Sequence, residues 1–310
     1  MKIKSIKKID YEGDVYNLRI KNGNDICNNY FANNMCVSNC HKAGAKELNS
    51  IMRRSFGTAK YRVGMSGTFP AKGTCELMAI ESVTGPVVMT VKARELIDKG
   101  LISDVKIKAL ILQHEDREFA ESVYQVKKHG NGKRALELER EYAQKSLKRK
   151  VFIAKLVSKF KQNSLVLFYN IDYGTELYDY FRSNIIGKDF YYIDGQTSKE
   201  KREYIKQQMD KTDGNPKVLV ASFGTLSTGV SIRALTNCVF VDSFKSNSLI
   251  RQSIGRVLRL HKEKNKAIIF DLCDQFHSNY KTILYNHYIS RRDTIYKVQN
   301  FDFDELKIVI

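Results

Sequence analysis

The sequence predicts an α/β protein built on a parallel, doubly wound sheet, and three observations carry that expectation. Short apolar runs recur at 164–170, 189–195, 217–223, 237–243 and 265–274. They are apolar throughout rather than alternating, as strands covered on both faces are. Three of them lead into stretches of helical character, "GTELYDYFRSN", "SKEKREYIKQQMDK" and "SLIRQSIGRVLRLH", and strands alternating with helices favour parallel pairing.

Taken in order, residues 1–39 have a different character from the rest. "DVYNLRI" (14–20) alternates as a half-buried strand does, "KNGND" is a turn, and "NNYFANNMCVSN" resumes the β pattern. The α/β pattern begins at Cys40 with a helix expected over 42–55. "YRVGMSGTFP" (61–70) reads as a strand emptying into a Ser/Gly/Thr loop. A helix is expected over 90–102 and a strand over 104–113. Residues 115–162 are charged and helical, interrupted by the turn "HGNGK" at 129–133. With only three prolines, no repeat of fixed period and no low-complexity linker, domain boundaries rest on these changes of pattern.

Composition narrows the function. A chain of 310 residues with 43% hydrophobic residues can bury a substantial core. The 52 Lys+Arg against 34 Asp+Glu leave a formal charge of +18, which favours polyanionic partners, nucleic acid first. No apolar run approaches the roughly 18 residues of a membrane span and no signal core opens the chain. The six cysteines (27, 36, 40, 75, 238 and 273) form no CxxC pair. A reduced, cytoplasmic protein without a metal site of its own is the simplest expectation. Cys36, Cys40 and His41 lack a second ligand pair at zinc-finger spacing.

The most specific string is "SLIRQSIGRVLRLH" (248–261), in which Gln252, Gly255, Arg256 and Arg259 form Q-x-x-G-R-x-x-R. On a helix this places Gln252, Arg256 and Arg259 on one face. Two guanidiniums so spaced can grip a triphosphate and neutralise charge developing on a transferring phosphoryl group; a solvated basic face is the plain alternative. Upstream, "VLVASFGTLSTGVSI" (218–232) empties a strand into a loop carrying Ser222, Gly229 and Ser231. Small-residue loops of this kind let backbone N–H groups approach phosphates.

With these residues in view, residues 40–310 resemble the later part of a superfamily 2 nucleic-acid helicase, most closely the UvsW-type DNA helicases of T-even-like phages. The match is ordered. "CHKAGAK" resembles the tail of the DECH box and "GMSGTFP" motif III. "LVLFYN" with "YIDGQTSKEKRE" resembles motif IV and the strand and loop after it, "VASFGTLSTGVSI" motif V and "QSIGRVLR" motif VI. The resemblance implies that His41 closes the DECH box and that Ser66 and Thr68 couple hydrolysis to DNA binding. It puts Ser222 against the DNA backbone, with Gly229 and Ser231 near the nucleotide. Arg256 and Arg259 become arginine fingers, with Gln252 beside them, and ATP and Mg²⁺ the cofactors.

The chain departs from that family at its front. It contains no G-x-x-x-x-G-K-[ST] loop, and Ser38-Asn39 stand where the DECH box has Asp-Glu. Those carboxylates hold Mg²⁺ and activate water in such motors. Residues 1–39 resemble the C-terminal fragment of a split intein, with "MCVSN|C" as its splice junction. Cys40 is then the thiol that accepts an acyl group, Asn39 the residue that cyclises, and Ser38 the penultimate residue, which is often His. Cys27-Asn28 replace the expected Asp-His or Thr-His pair.

The expected layout is thus a split-intein fragment (1–39), the end of a first RecA-like lobe (40–100) and a second RecA-like lobe carrying motifs IV–VI (101–310). Trans-splicing with a separate N-terminal half would supply the Walker lysine and the Asp-Glu pair and complete an ATP-dependent DNA helicase. Two other readings stay open: an ATPase-dead nucleic-acid-binding fragment that does not splice, and a fragment that pairs with its N-terminal half non-covalently.

Overall fold

The computed structural model describes residues 20–22, 25–27, 30–32, 35–39, 50, 61–66, 69–70, 72–227, 232–243, 247–257, 259–260, 266–280 and 282–310. The chain divides into two units, residues 1–89 and 90–310.

In the first unit, β1 (Ile20–Asn22) and β2 (Asp25–Cys27) pair antiparallel from Ile20↔Cys27 to Asn22↔Asp25. β1 thus includes Lys21 and Asn22 of the expected turn. β3 (Tyr30–Ala32) and β4 (Met35–Asn39) also pair antiparallel. β4 then lies parallel to β5 (Tyr61–Met65), from Met35↔Tyr61 to Asn39↔Met65. The expected strand over 14–20 and helix over 42–55 fall, apart from Ile20 and Ser50, outside the described residues. Helix α1 (Cys75–Thr84) is opened by Thr74, whose hydroxyl accepts from Leu77 N at 3.3 Å, the usual way an orphan N–H of the first turn is satisfied.

The second unit is built on seven strands in the order β12-β6-β11-β10-β7-β9-β8, every neighbouring pair parallel. These are β6 (Asp104–Gln113), β7 (Ser164–Phe168), β8 (Asp189–Ile193), β9 (Lys217–Ser222), β10 (Asn237–Phe240), β11 (Lys266–Gln275) and β12 (Asp302–Val309). The α/β parallel architecture expected from the apolar runs is the one observed. All residues of β7, β9 and β10 are buried, because helices cover both faces.

Those helices are α2 (Ala93–Asp98), α3 (Arg117–Lys128), α4 (Gly132–Lys145), α5 (Leu147–Ser158), α6 (Ile171–Asn184), α7 (Lys199–Asp210), the short α8 (Phe223–Ser227), α9 (Asn247–Val257) and α10 (Ile283–Arg291). One π-helical turn, Arg292–Tyr296, follows α10. Two core layers result. Ile107, Leu165, Leu219, Phe240 and Ile269 face one way, and Leu112, Val166, Val220, Val239 and Leu272 face the other, the alternation a strand imposes. Gly174 in α6 lies so close to the Phe168 ring that a Cβ there would stand 2.5 Å from it, so only glycine lets this helix settle on the end of β7.

Candidate functional site

The chain order reverses between β7 and β10: β9 and β8 extend to one side, while β11, β6 and β12 extend to the other. In an open parallel sheet the strand ends at such a reversal frame a crevice suited to ligands. Here its walls are Tyr169 and Asn170 after β7 and Val241, Asp242 and Ser243 after β10.

Asp242 laces the two walls together. One of its carboxylate oxygens accepts from Tyr169 N at 2.6 Å and Asn170 N at 3.4 Å, and the other from Gln144 Nε2 at 3.3 Å. Asn170 is also the cap of α6, its side chain accepting from Tyr173 N at 3.2 Å. The side chain of Tyr169 stays exposed, with the Arg140 guanidinium 5.6 Å from its ring centre, a cation–π pairing.

Beneath this edge lies a buried ionic network. The Arg149 guanidinium donates to both Asp274 oxygens, Nε to Oδ1 at 2.8 Å and Nη2 to Oδ2 at 3.0 Å, and to the Val241 carbonyl at 2.6 Å. It also donates to the Tyr173 hydroxyl. His114 Nε2 lies 3.0 Å from Asp274 Oδ1. Burial works to raise the Asp274 carboxyl, but Arg149 and the His114 hydrogen bond outweigh it and hold its pKa below the ordinary carboxylate value. A second buried pair reaches Ser243: Arg291 donates to Asp271 at 2.9 and 3.0 Å and to Ser243 Oγ at 2.9 Å, and Tyr296 OH donates to Asp271 at 2.7 Å.

The residues singled out from sequence are distributed over several elements. Ser222 ends β9 and is buried; its hydroxyl lies 2.7 Å from Thr225 Oγ1 and accepts from Thr225 N at 3.3 Å, opening α8. Gln252 and Arg256 are on α9, with Gln252 half-buried. The motif is not helical throughout as expected: α9 ends at Val257, and Arg259 stands past that end, exposed. Its carbonyl accepts from Ser103 Oγ at 3.0 Å, which ties this end of the motif to the start of β6. Ser66 directly follows β5 and is half-buried. Ser38 and Asn39 are the last two residues of β4. Cys40, His41, Thr68, Gly229 and Ser231 lie outside the described residues.

Asp242, Arg149, Asp274, Arg291 and Asp271 went unmarked by the sequence reading. Their signal was present: "FDLCD" sets two acids inside an apolar run, and acids buried in a parallel strand require cationic partners elsewhere.

Among the described residues, no group of three or more His, Cys, Asp or Glu could hold a metal ion. No helix there is long and apolar enough to cross a membrane. The described residues supply cations and strand-end hydrogen-bonding groups at this edge, and no carboxylate cluster for Mg²⁺.

A seven-stranded parallel sheet with this order, covered on both faces and carrying its polar groups at the strand ends, is the RecA-like fold of a helicase C-terminal lobe. Residues 147–261 match the helicase conserved C-terminal domain family. Over 243 residues the chain is 29% identical to the ATP-dependent DNA helicase uvsW of Enterobacteria phage T4, covering 77% of this chain and 45% of that protein. The crystal structure of T4 UvsW superposes with a TM-score of 0.51 at 24% identity, over 88% of this chain and 53% of that one. A fragment of a HsdR subunit of a type I restriction enzyme from Vibrio vulnificus gives a TM-score of 0.55 at 15% identity, over 89% and 48%. The chain therefore spans about half the length of the proteins it resembles.

Proposed function

We propose that this chain is the C-terminal portion of an ATP-dependent phage DNA helicase of the branched-DNA remodelling type, made as a precursor and joined to its N-terminal half by protein trans-splicing. The observation that carries the reading is a mismatch. Residues 147–261 match the helicase conserved C-terminal domain family, yet the sequence holds no G-x-x-x-x-G-K-[ST] loop, and Ser38-Asn39 stand directly before Cys40-His41 where the DECH box has its acid pair. On this reading the motor's cations lie in this chain and its carboxylates on the other half.

In the joined enzyme, Arg259 and Arg256, three residues before it, would neutralise the γ-phosphoryl charge of ATP, and Gln252 would orient beside them. Ser66 and Thr68 would couple the two lobes, and the loop from Ser222 through Gly229 and Ser231 would carry backbone contacts to nucleotide and DNA. His41 would follow the restored Asp-Glu pair, which brings the Mg²⁺ ligands. Mg²⁺ supplies Lewis-acid stabilisation of the phosphates.

The joining chemistry needs few groups. Cys40 Sγ takes over the acyl group of the partner's thioester, releasing the partner's thiol. The Asn39 side-chain nitrogen attacks its own carbonyl carbon, breaking the 39–40 peptide bond and leaving a succinimide on the departing segment. The freed Cys40 amine then displaces its own thioester, giving an ordinary peptide bond.

One observation favours a second reading. β4 runs parallel to β5 in register, as a permanent strand would, and residues 1–39 would then remain in an ATPase-dead nucleic-acid-binding fragment. Mixing the chain with an N-terminal half that ends its helicase part in Asp-Glu, followed by an intein N-fragment, separates the two by mass spectrometry. Splicing yields one ligated chain and a released segment of residues 1–39; Asn39→Ala holds that segment on. Stable association without ligation by the unaltered chain sinks the splicing proposal.

A further inference from the structure

The antiparallel hairpin of α3 (Arg117–Lys128) and α4 (Gly132–Lys145) precedes the family-matching stretch at 147–261 and contains none of the motif residues. Its base is well anchored. Ala120, Ala143, Phe276 and Leu284 form a small core with Phe119 and Tyr142 packed on it. Asp116 accepts from Phe119 N and from Tyr142 OH, each at 2.9 Å. Glu139 accepts from Ile283 N and Leu284 N, each at 2.7 Å.

The tip has a different composition. From Ser122 to Leu136 the sequence holds Lys127, Lys128, Lys133 and Arg134 and no Asp or Glu. All four are exposed. The turn between them is fixed rather than loose. Gly130, at φ +84°, donates to Lys127 O at 3.1 Å, Asn131 N to Val126 O at 3.2 Å, and the Asn131 side chain accepts from Arg134 N at 3.1 Å, a closed C-terminal and N-terminal cap in succession.

Helix stability explains half of these charges. Lys127 and Lys128 lie at the C-terminal end of α3, where cations complement the helix dipole. Lys133 and Arg134 lie in the first turn of α4, where that dipole disfavours them and which holds no acidic residue of its own. Arg134 reaches Glu137 and Glu141 only at 3.5 Å, across an exposed surface. Lys127, Lys128 and Lys133 enter no ion pair among the described residues. Cations placed against the local field on a rigid tip suit an external polyanion. The exposed Tyr124 ring is engaged with Tyr280 at 5.7 Å, and the His129 ring at the turn is held at 2.8 Å from Gln125 O through Nδ1. The tip therefore offers charge without a free stacking platform, which fits the phosphates of a duplex better than unstacked single-strand bases.

We propose that the tip of the α3–α4 hairpin is a second nucleic-acid contact, a basic prong that grips the phosphate backbone of duplex DNA. This rests on the nucleic-acid part of the function proposed above and is independent of splicing. The test uses the full chain, titrated by fluorescence anisotropy against a labelled duplex and a single strand of equal length over a range of salt. Alanine at Lys127, Lys128, Lys133 and Arg134 together should weaken duplex binding at least tenfold. It should also flatten the dependence of log K on log salt by up to about 3.6, at about 0.9 per phosphate contact.

A control variant with alanine at Lys148, Lys155, Lys159 and Lys161 removes the same charge from another face and should lose far less. The prong is refuted if the two variants lose equally, if the single strand is affected more than the duplex, or if only association with an N-terminal half suffers. Should the unaltered chain bind neither DNA, the nucleic-acid reading itself fails, a result distinct from all of these.

Discussion

Arg149 carries a permanent charge to a position only 1% exposed, and nothing in its surroundings tolerates that charge except the groups arranged around it. Asp274 takes two of its N–H donors, Val241 O a third contact and Tyr173 OH another. Those partners belong to the end of β11, the end of β10 and the start of α6, so one side chain fixes three elements around the crevice. Removing the guanidinium leaves Asp274 buried with only His114, and breaking such a pair costs about 3–5 kcal/mol. Arg149→Met should therefore lower the urea midpoint strongly with an unchanged m-value. Replacing Asp274 by leucine as well should recover part of the loss, since no uncompensated carboxylate remains. A double variant less stable than Arg149→Met would show that the hydrogen bonds, not the charge pairing, hold this edge together.

Helix α10 shows the same logic one level up. No side chain of its own caps it; its first N–H groups are taken by Glu139 from α4. Burial raises the Glu139 carboxyl to about 7, against the lowering effect of the two backbone donors. A carboxyl whose folded pKa exceeds its unfolded value of about 4.3 binds more protons in the folded state between those two values. Stability should thus fall as pH rises from about 4.5 to about 7 and level off above it. Glu139→Gln, which keeps an acceptor and cannot ionise, should flatten that portion of the stability–pH curve; an unaltered slope would assign it to another group.

Glu139 also marks the limit of what the sequence disclosed. The strands were legible because continuous apolar runs such as 164–168 and 217–222 have no other use in a sheet covered on both sides. The hairpin turn at 129–133 was legible from its glycines. The last stretch, 276–310, showed no such pattern, because β12 is an edge strand with most residues exposed and a charged sequence. A carboxylate capping a helix 144 residues away, or an acid pairing with an arginine 125 residues distant, has no local signature at all. Q-x-x-G-R-x-x-R was plain in the sequence, whereas the end of α9 before Arg259, whose carbonyl accepts from Ser103 Oγ, had no local signal.

At the scale of the whole molecule, the proposed function divides charge and chemistry between two polypeptides. The 310 residues carry a formal +18 and, in that proposal, the arginines that meet the triphosphate. Groups that would hold Mg²⁺ and activate water are expected on the partner half. A motor so divided has no turnover until its halves meet, because arginine stabilisation acts on a transition state that the chain by itself cannot assemble. The isolated chain should accordingly show no DNA-stimulated ATP hydrolysis at any Mg²⁺ concentration, and activity should appear with the ligated product. In that product, Arg256→Ala or Arg259→Ala should reduce kcat by roughly a thousandfold or more, the scale of an arginine finger, while DNA binding persists. Phosphate release by the isolated chain would overturn the division. A joined enzyme indifferent to both substitutions would place the phosphate-neutralising cations elsewhere in the fold.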